Sequence, residues 1–188
     1  MKFLLNLVLL LLISSLHMFG QGVILCDFIS DGSGKSLGIK YLVKFPCNWS
    51  ESNGDLDKIV KKFIFKDDEN YKIETISIIS LNQKLKESDA KKLISLKYLK
   101  DLAQKLGIYE SCKIQIIGNL RAGEIIYTKY LDNEGLYLKV IQYLIYHNDK
   151  VINISFGVGN TDKLITKQKF QKELPIFRNI ALQFKLFK

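Results

Sequence analysis

Between residues 37 and 45 apolar and polar side chains alternate, the period of a strand with one buried face, and Pro46, which has no backbone N–H to give a ladder, closes the run. Residues 48–57 are polar around Trp49 and predict a loop. Two β-rich runs follow, 59–66 and 71–81, and Asp67-Asp68-Glu69-Asn70 between them has the composition of a hairpin turn. The period then becomes helical. Ser88 is the predicted cap, with Asp89 in the first turn where the helix dipole favours negative charge. Leu96, Leu99, Leu102, Ala103 and Leu106 then share one face, opposite a face of Lys97, Lys100, Asp101, Gln104 and Lys105, until Gly107 stops the helix. Leu93 and Ile94 interrupt this stripe and predict packing from a second side.

Four more strands are predicted, at 111–117, 123–131, 136–146 and 151–158, with Gly157 and Gly159 punctuating the end of the last. The links between the last three are too short for helical crossovers, so these strands form an antiparallel meander. Thr161 is the predicted cap of a second helix reaching about Glu173, where Pro175 breaks or restarts it. Leu174, Phe177, Ile180, Ala181 and Phe184 continue at helical spacing, and 184–187 turns extended. The order of elements describes an α+β domain, a mostly antiparallel sheet flanked by helices.

The first residues belong to no packed element. Lys2 precedes an apolar run of about a dozen residues, and small or polar residues follow near Gly20 and Gly22, the layout of a secretory signal peptide. The run is shorter than the roughly 20 residues of a permanent span. Residues 1–20 are therefore expected to be cleaved, leaving 21–188 as one soluble domain without stable membrane insertion. Cys26 suggests a lipid anchor, but Val23-Ile24-Leu25 lacks the small residues of a lipoprotein processing site. The lysine-, isoleucine- and asparagine-rich composition and the Gly-Gln junction look bacterial, which predicts a periplasmic or secreted protein.

Without Lys2 the chain holds 27 Lys and Arg against 19 Asp and Glu, a net charge of +8. Such a field favours anionic partners, acidic glycan or lipid among them. The lysines are scattered, however, and no dense basic-aromatic run marks a nucleic-acid groove.

The catalytic inventory is thin. His17 leaves with the leader, so His147, in the turn-like Tyr146-His147-Asn148-Asp149-Lys150, is the histidine available to serve as a base. No HExxH, CxxC or calcium-loop pattern occurs, and Asp132-Asn133-Glu134-Gly135 has the composition of a turn, so neither metal nor cofactor is expected. Asp31-Gly32-Ser33-Gly34-Lys35-Ser36 ends like a phosphate loop. Yet Ile29 stands where the first glycine belongs, and a strand pattern follows where a helix should start. Cys26, Cys47 and Cys112 are an odd set for an exported chain. Cys47 with Cys112 is the candidate bridge, since both lie at the edges of elements in the body of the domain, and three reduced cysteines is the alternative.

The stretch Tyr41-Leu42-Val43-Lys44-Phe45-Pro46-Cys47-Asn48-Trp49 resembles the strand followed by Phe/Tyr-Pro-x-x-Trp that opens the PsbP-like superfamily, named for an extrinsic photosystem II subunit and including small exported bacterial proteins. The central helix, the meander and the ending Phe177-Arg178-Asn179-Ile180-Ala181-Leu182-Gln183-Phe184 are similar in order. The resemblance implies an α/β/α sandwich with a binding or scaffolding role and no catalytic residues. Phe45, Pro46 and Trp49 carry it, and they are expected to form a chain corner whose ring fills the sheet edge.

The expected function is a non-catalytic exported module that binds a protein or a cell-envelope component. The alternative is a small hydrolase using Cys112 or Cys47 with His147.

Overall fold

The structure, a computed structural model, describes residues 23–67, 71–81, 84 and 86–187, so the leader expected at 1–20 and most of the turn expected at 67–70 lie outside the described residues. The strands build two antiparallel sheets. The larger is formed by β3 (Ser50–Asn53), β4 (Ile59–Lys66), β5 (Tyr71–Ser80), β6 (Ile108–Ile117), β7 (Leu120–Leu131), β8 (Leu136–His147) and β9 (Lys150–Asn160), in the order β3-β4-β5-β9-β8-β7-β6. The smaller has β2 (Tyr41–Pro46) between β1 (Leu25–Ser30) and β10 (Lys185–Leu186). The helices are α1 (Glu87–Leu93), α2 (Leu96–Leu106) and α3 (Lys163–Leu182).

The expected meander is β7-β8-β9, and its last hairpin turns in two residues because Asn148 adopts a left-handed φ of 57°. In this register Ile126, Ile141, Phe156 and Ile76 point to one face, where Phe170, Phe177 and Ile180 of α3 and the inner face of the small sheet complete a core. Ile125, Val140 and Leu144 point to the other face, under Leu99 and Ala103 of α2. Burying both faces explains why β7, β8 and β9 read as nearly continuous apolar runs.

Several boundaries differ from the sequence pattern, each for a physical reason. The 48–57 loop contains β3, a polar edge strand whose side chains are all exposed and therefore carry no apolar signal. The helix expected from Ser88 to Gly107 is two helices. Ser95 is extended (ψ 150°) and its Oγ accepts from Tyr98 N at 3.3 Å, while Ile94 plugs into the core at the break. Asp162, not Thr161, caps α3, accepting from the N–H groups of Leu164 and Ile165 at 2.7 and 2.9 Å. Pro175 does not break α3: the carbonyl of Gln171 forgoes its helical donor, and burial of Phe170, Phe177 and Ile180 outweighs that cost of about 3 kcal/mol. Gly157 and Gly159 lie inside β9 rather than ending it, leaving room for Leu138 and Tyr71.

The cysteine pairing expected between Cys47 and Cys112 is not formed. Residues 25–30, which the sequence left unassigned, are strand β1, and its register sets Cys26 opposite Phe45, so Cys26 bonds Cys47 across a Cα separation of 4.9 Å. Cys112 is a free thiol on β6, at the far edge of the other sheet and facing α2.

Gly107 follows α2 with a φ of 166°, extended backbone open to any residue, so its requirement is space rather than a left-handed turn. A Cβ there would lie 2.4 Å from the Thr128 carbonyl oxygen. Gly107→Ala is expected to cost about 1–3 kcal/mol, read as a lower urea midpoint with unchanged slope.

Candidate binding flank beside the last helix

Phe45 stacks on Phe63 with ring centroids 4.1 Å apart, and Trp49 meets Phe177 edge-on at 6.4 Å. Both rings and Pro46 are buried, so the Phe-Pro-x-x-Trp corner packs into the core. The Gly-Lys-Ser triplet is a single 3-10 turn, Gly34–Ser36, and Lys35 Nζ donates to the carbonyls of Gly54 and Leu56 at 2.7 and 3.0 Å. That lysine fastens one loop to another.

A cysteine hydrolase would need a thiol beside His147. Cys47 is consumed in the disulfide. Cys112 is level with Ile125 and Gln142, and His147 lies five residues farther along β8, about 17 Å away along the strand direction alone. The described contacts of Cys112 are Tyr109 Oη and the Leu96 carbonyl, both at 3.6 Å. The cysteine and histidine of the alternative reading are not brought together.

Charged residues converge elsewhere, on the α3-facing side of β6, β7 and β8. Glu124 is 2% exposed; Arg178 Nη2 donates to its Oε1 at 2.7 Å, and Lys113 Nζ lies 3.3 Å from Oε2 without hydrogen-bond alignment. The Glu124 hydrogen bond holds the Arg178 pKa above its ordinary value. Next to this pair the buried Tyr143 hydroxyl has no hydrogen-bond partner, and burial, reinforced by the Glu124 charge, pushes its pKa up.

Nearer the start of α3, buried Lys139 donates to Glu110 Oε2, Thr128 Oγ1 donates to Glu110 Oε1 at 2.9 Å, and the Lys139 ammonium sits 5.3 Å from the Phe170 ring centre. A cavity of about 280 Å3 opens beside this pair, rimmed by Lys163 and Lys167 one helical turn apart. The two clusters thus form one flank: in the first a buried acid is held by half-exposed cations, and in the second a buried lysine is held by an exposed acid. Ion pairs removed from water contribute little net stability. The chemistry these clusters offer is fixed charge at the surface.

Glu74 is a different case. Fully buried between the sheets opposite Phe63 and Phe156, it has no hydrogen-bond partner for either carboxylate oxygen. Burial holds its pKa well above the ordinary 4.5. Ser30 and Ser36, hydrogen-bonded to each other at 2.7 Å, line a cleft nearer the surface.

None of Glu74, Glu110, Lys113, Glu124, Lys139 or Arg178 was singled out from the sequence. A signal existed: Glu74, Glu124 and Lys139 occupy the same strand face as Ile76, Ile126 and Ile141, and a charge on an apolar parity must find a partner or a proton.

No family model matches the chain, and no curated protein matches it either. Solved structures do resemble it. The Ran-binding protein Mog1p of Saccharomyces cerevisiae aligns over 88% of this chain and 96% of its own, with a TM-score of 0.53 at 11% identity. LpqN, involved in cell envelope biogenesis of Mycobacterium tuberculosis, aligns over 87% of this chain and 92% of its own, with a TM-score of 0.54 at 12% identity. A protein of Bacteroides thetaiotaomicron matches 86% of this chain at a TM-score of 0.47 and 15% identity, and this chain spans about half (48%) of its length. Mog1p and LpqN share the PsbP-like/Mog1 fold, and at these identities the likeness shows that fold and nothing further.

Two substitutions probe the buried charges. Arg178→Met leaves Glu124 buried beside Lys113 and is expected to cost about 3 kcal/mol in chemical denaturation, most of it regained in Arg178→Met with Glu124→Leu. For Glu74 the folded-state pKa is raised, so the stability contributed by its protonated form is complete below pH 4.5 and is lost as pH rises through the folded value. The unfolding free energy of Glu74→Gln minus that of the parent protein is therefore expected to grow with pH from about 4.5 upward, by at most about 1.4 kcal/mol per pH unit.

Proposed function

We propose that this chain is an exported, non-catalytic binding module of the PsbP-like superfamily, whose partner is a protein or a cell-envelope component engaged through the flank between α3 and β6. The observation that carries the proposal is the pair of ionic clusters on that flank: Glu124 with Arg178 and Lys113, and Glu110 with Lys139, each buried at its acid or its base and open to solvent on the other side. Folding alone has no need of such pairs, since apolar residues of similar volume would fill the same space at equal or lower free energy. Lys113 and Arg178, fixed by the buried Glu124 and half-exposed, are preoriented cations suited to recognising an anionic group of the partner.

The Cys26–Cys47 bridge supports export, because disulfides form and persist in oxidising compartments. Among the described residues no helix is long and apolar enough to cross a membrane. Mog1p is a Ran-binding protein and LpqN is involved in cell envelope biogenesis, so a binding or envelope-associated role is in keeping with these two neighbours. A hydrolase is disfavoured by the separation of Cys112 from His147 and by the bonded state of Cys47.

Purification of the tagged protein from the envelope fraction of an expressing bacterium tests the proposal. The expected outcome is a chain whose mass begins at Gln21, retained with a stoichiometric partner that high salt removes. A full-length cytosolic chain, or a mature chain that elutes alone as a freely diffusing monomer, would count against it.

A further inference from the structure

Strand β6 ends the large sheet. Among the described residues it pairs with β7 and presents a second, free backbone edge ten residues long. The opposite sheet edge, β3, is four residues long, and its side chains are all exposed. An unpaired edge of β6's length is a template for another strand unless something blunts it. A register irregularity between Tyr109 and Ser111 does so at the start of β6, but from Cys112 to Ile117 the ladder with β7 is regular.

The two sides of this free edge differ in chemistry. Toward α3 stand the half-exposed Lys113 and Arg178, whose shared counter-ion, Glu124, is buried behind them. Toward α2 the edge is apolar: Ile116 is 57% and Leu96 54% exposed, and the Leu96 carbonyl sits at the thiol of Cys112. Side chains of an added strand alternate between these two sides. Resting on the binding-module proposal above, we infer that β6 is the docking edge for an extended acidic segment of a protein partner. In that segment acidic residues alternate with apolar ones, the acids facing Lys113 and Arg178 and the apolar side chains covering Ile116 and Leu96. Backbone hydrogen bonds along the edge bind the strand, and the alternation selects it. A second copy of this chain fits less well, because it would bring Lys113 and Arg178 of both copies to the same joint.

The probe is the blocked heptapeptide Glu-Val-Glu-Val-Glu-Val-Glu, titrated into the full mature protein at low ionic strength and followed by amide NMR and hydrogen exchange. Its counterparts are the same peptide with Lys for Glu, and a peptide of identical composition with the valines grouped. Expected are new protection of amides between 112 and 117, affinity that falls with added salt, and affinity weakened about fivefold by Ile116→Lys and by Lys113→Gln. Both substitutions are at exposed positions, so an unchanged melting temperature verifies that the variants fold. Equal binding of the lysine or grouped peptides, no binding of the alternating one, or perturbations away from β6 overturn the inference. So does protection of β6 that rises with protein concentration alone, the mark of self-pairing. If the envelope partner is retained equally by the Ile116→Lys protein, the module still binds and β6 is not where it does so.

Discussion

The molecule is organised around β9, which is hydrogen-bonded along its length on both sides, to β8 just before it in the chain and to β5 about eighty residues earlier. The second pairing is the demanding one. It joins residues 71–80 to 150–159 in a register that sets Ile76 beside Ile154 and Ile78 beside Ile152, and a slip of one residue would turn every one of these side chains to the wrong face. Once that register is fixed, the remaining parts have little choice. Phe156 offers the ring on which Phe177 of α3 stacks at 5.1 Å, α3 hands on to β10, and β10 pairs with β2, so the small sheet is seated by the large one.

The same register decides where charge can survive inside the molecule. Thr128 and Lys139 are opposite each other, as are Glu124 and Tyr143, so the two acid–base clusters lie on neighbouring strands below one helix. On the opposite face the cross-strand row Tyr127–Gln142–Asn153–Ser77 is linked by hydrogen bonds of 3.2–3.3 Å. A row satisfied internally stiffens the sheet. The α3 flank differs because Lys113 and Arg178 reach the solvent and keep N–H donors to offer.

Much of the fold was legible in the sequence, because alternation and helical spacing are direct consequences of burial on one face. The meander, the two helical regions and the turn at Gly135 rest on such patterns. The failures have a common cause. Strand β1 reads Leu-Cys-Asp-Phe-Ile-Ser, too short and too irregular to show a period, and β3 is wholly polar, so neither announced itself without its partner strand. Missing β1 misplaced the disulfide, since Cys26 has no reason to meet Cys47 until β1 is laid against β2. The candidate flank was illegible for a related reason. The distance in sequence between Glu124 and Arg178 is bridged only by tertiary packing, and a lone Glu in a strand pattern does not disclose which partner it will find.

The bridge between Cys26 and Cys47 also determines how the molecule would carry mechanical load. Tension entering from residue 23 meets the bonded sulfurs three residues later and crosses directly to Cys47, just before Trp49 and β3, so the twenty residues between the cysteines are bypassed. The hydrogen bonds of β1 to β2 then lie in the slack of a covalent loop. A tether at that end would pull on the aromatic core through Trp49, and the β1–β2 pair would stay folded until the core itself gave way.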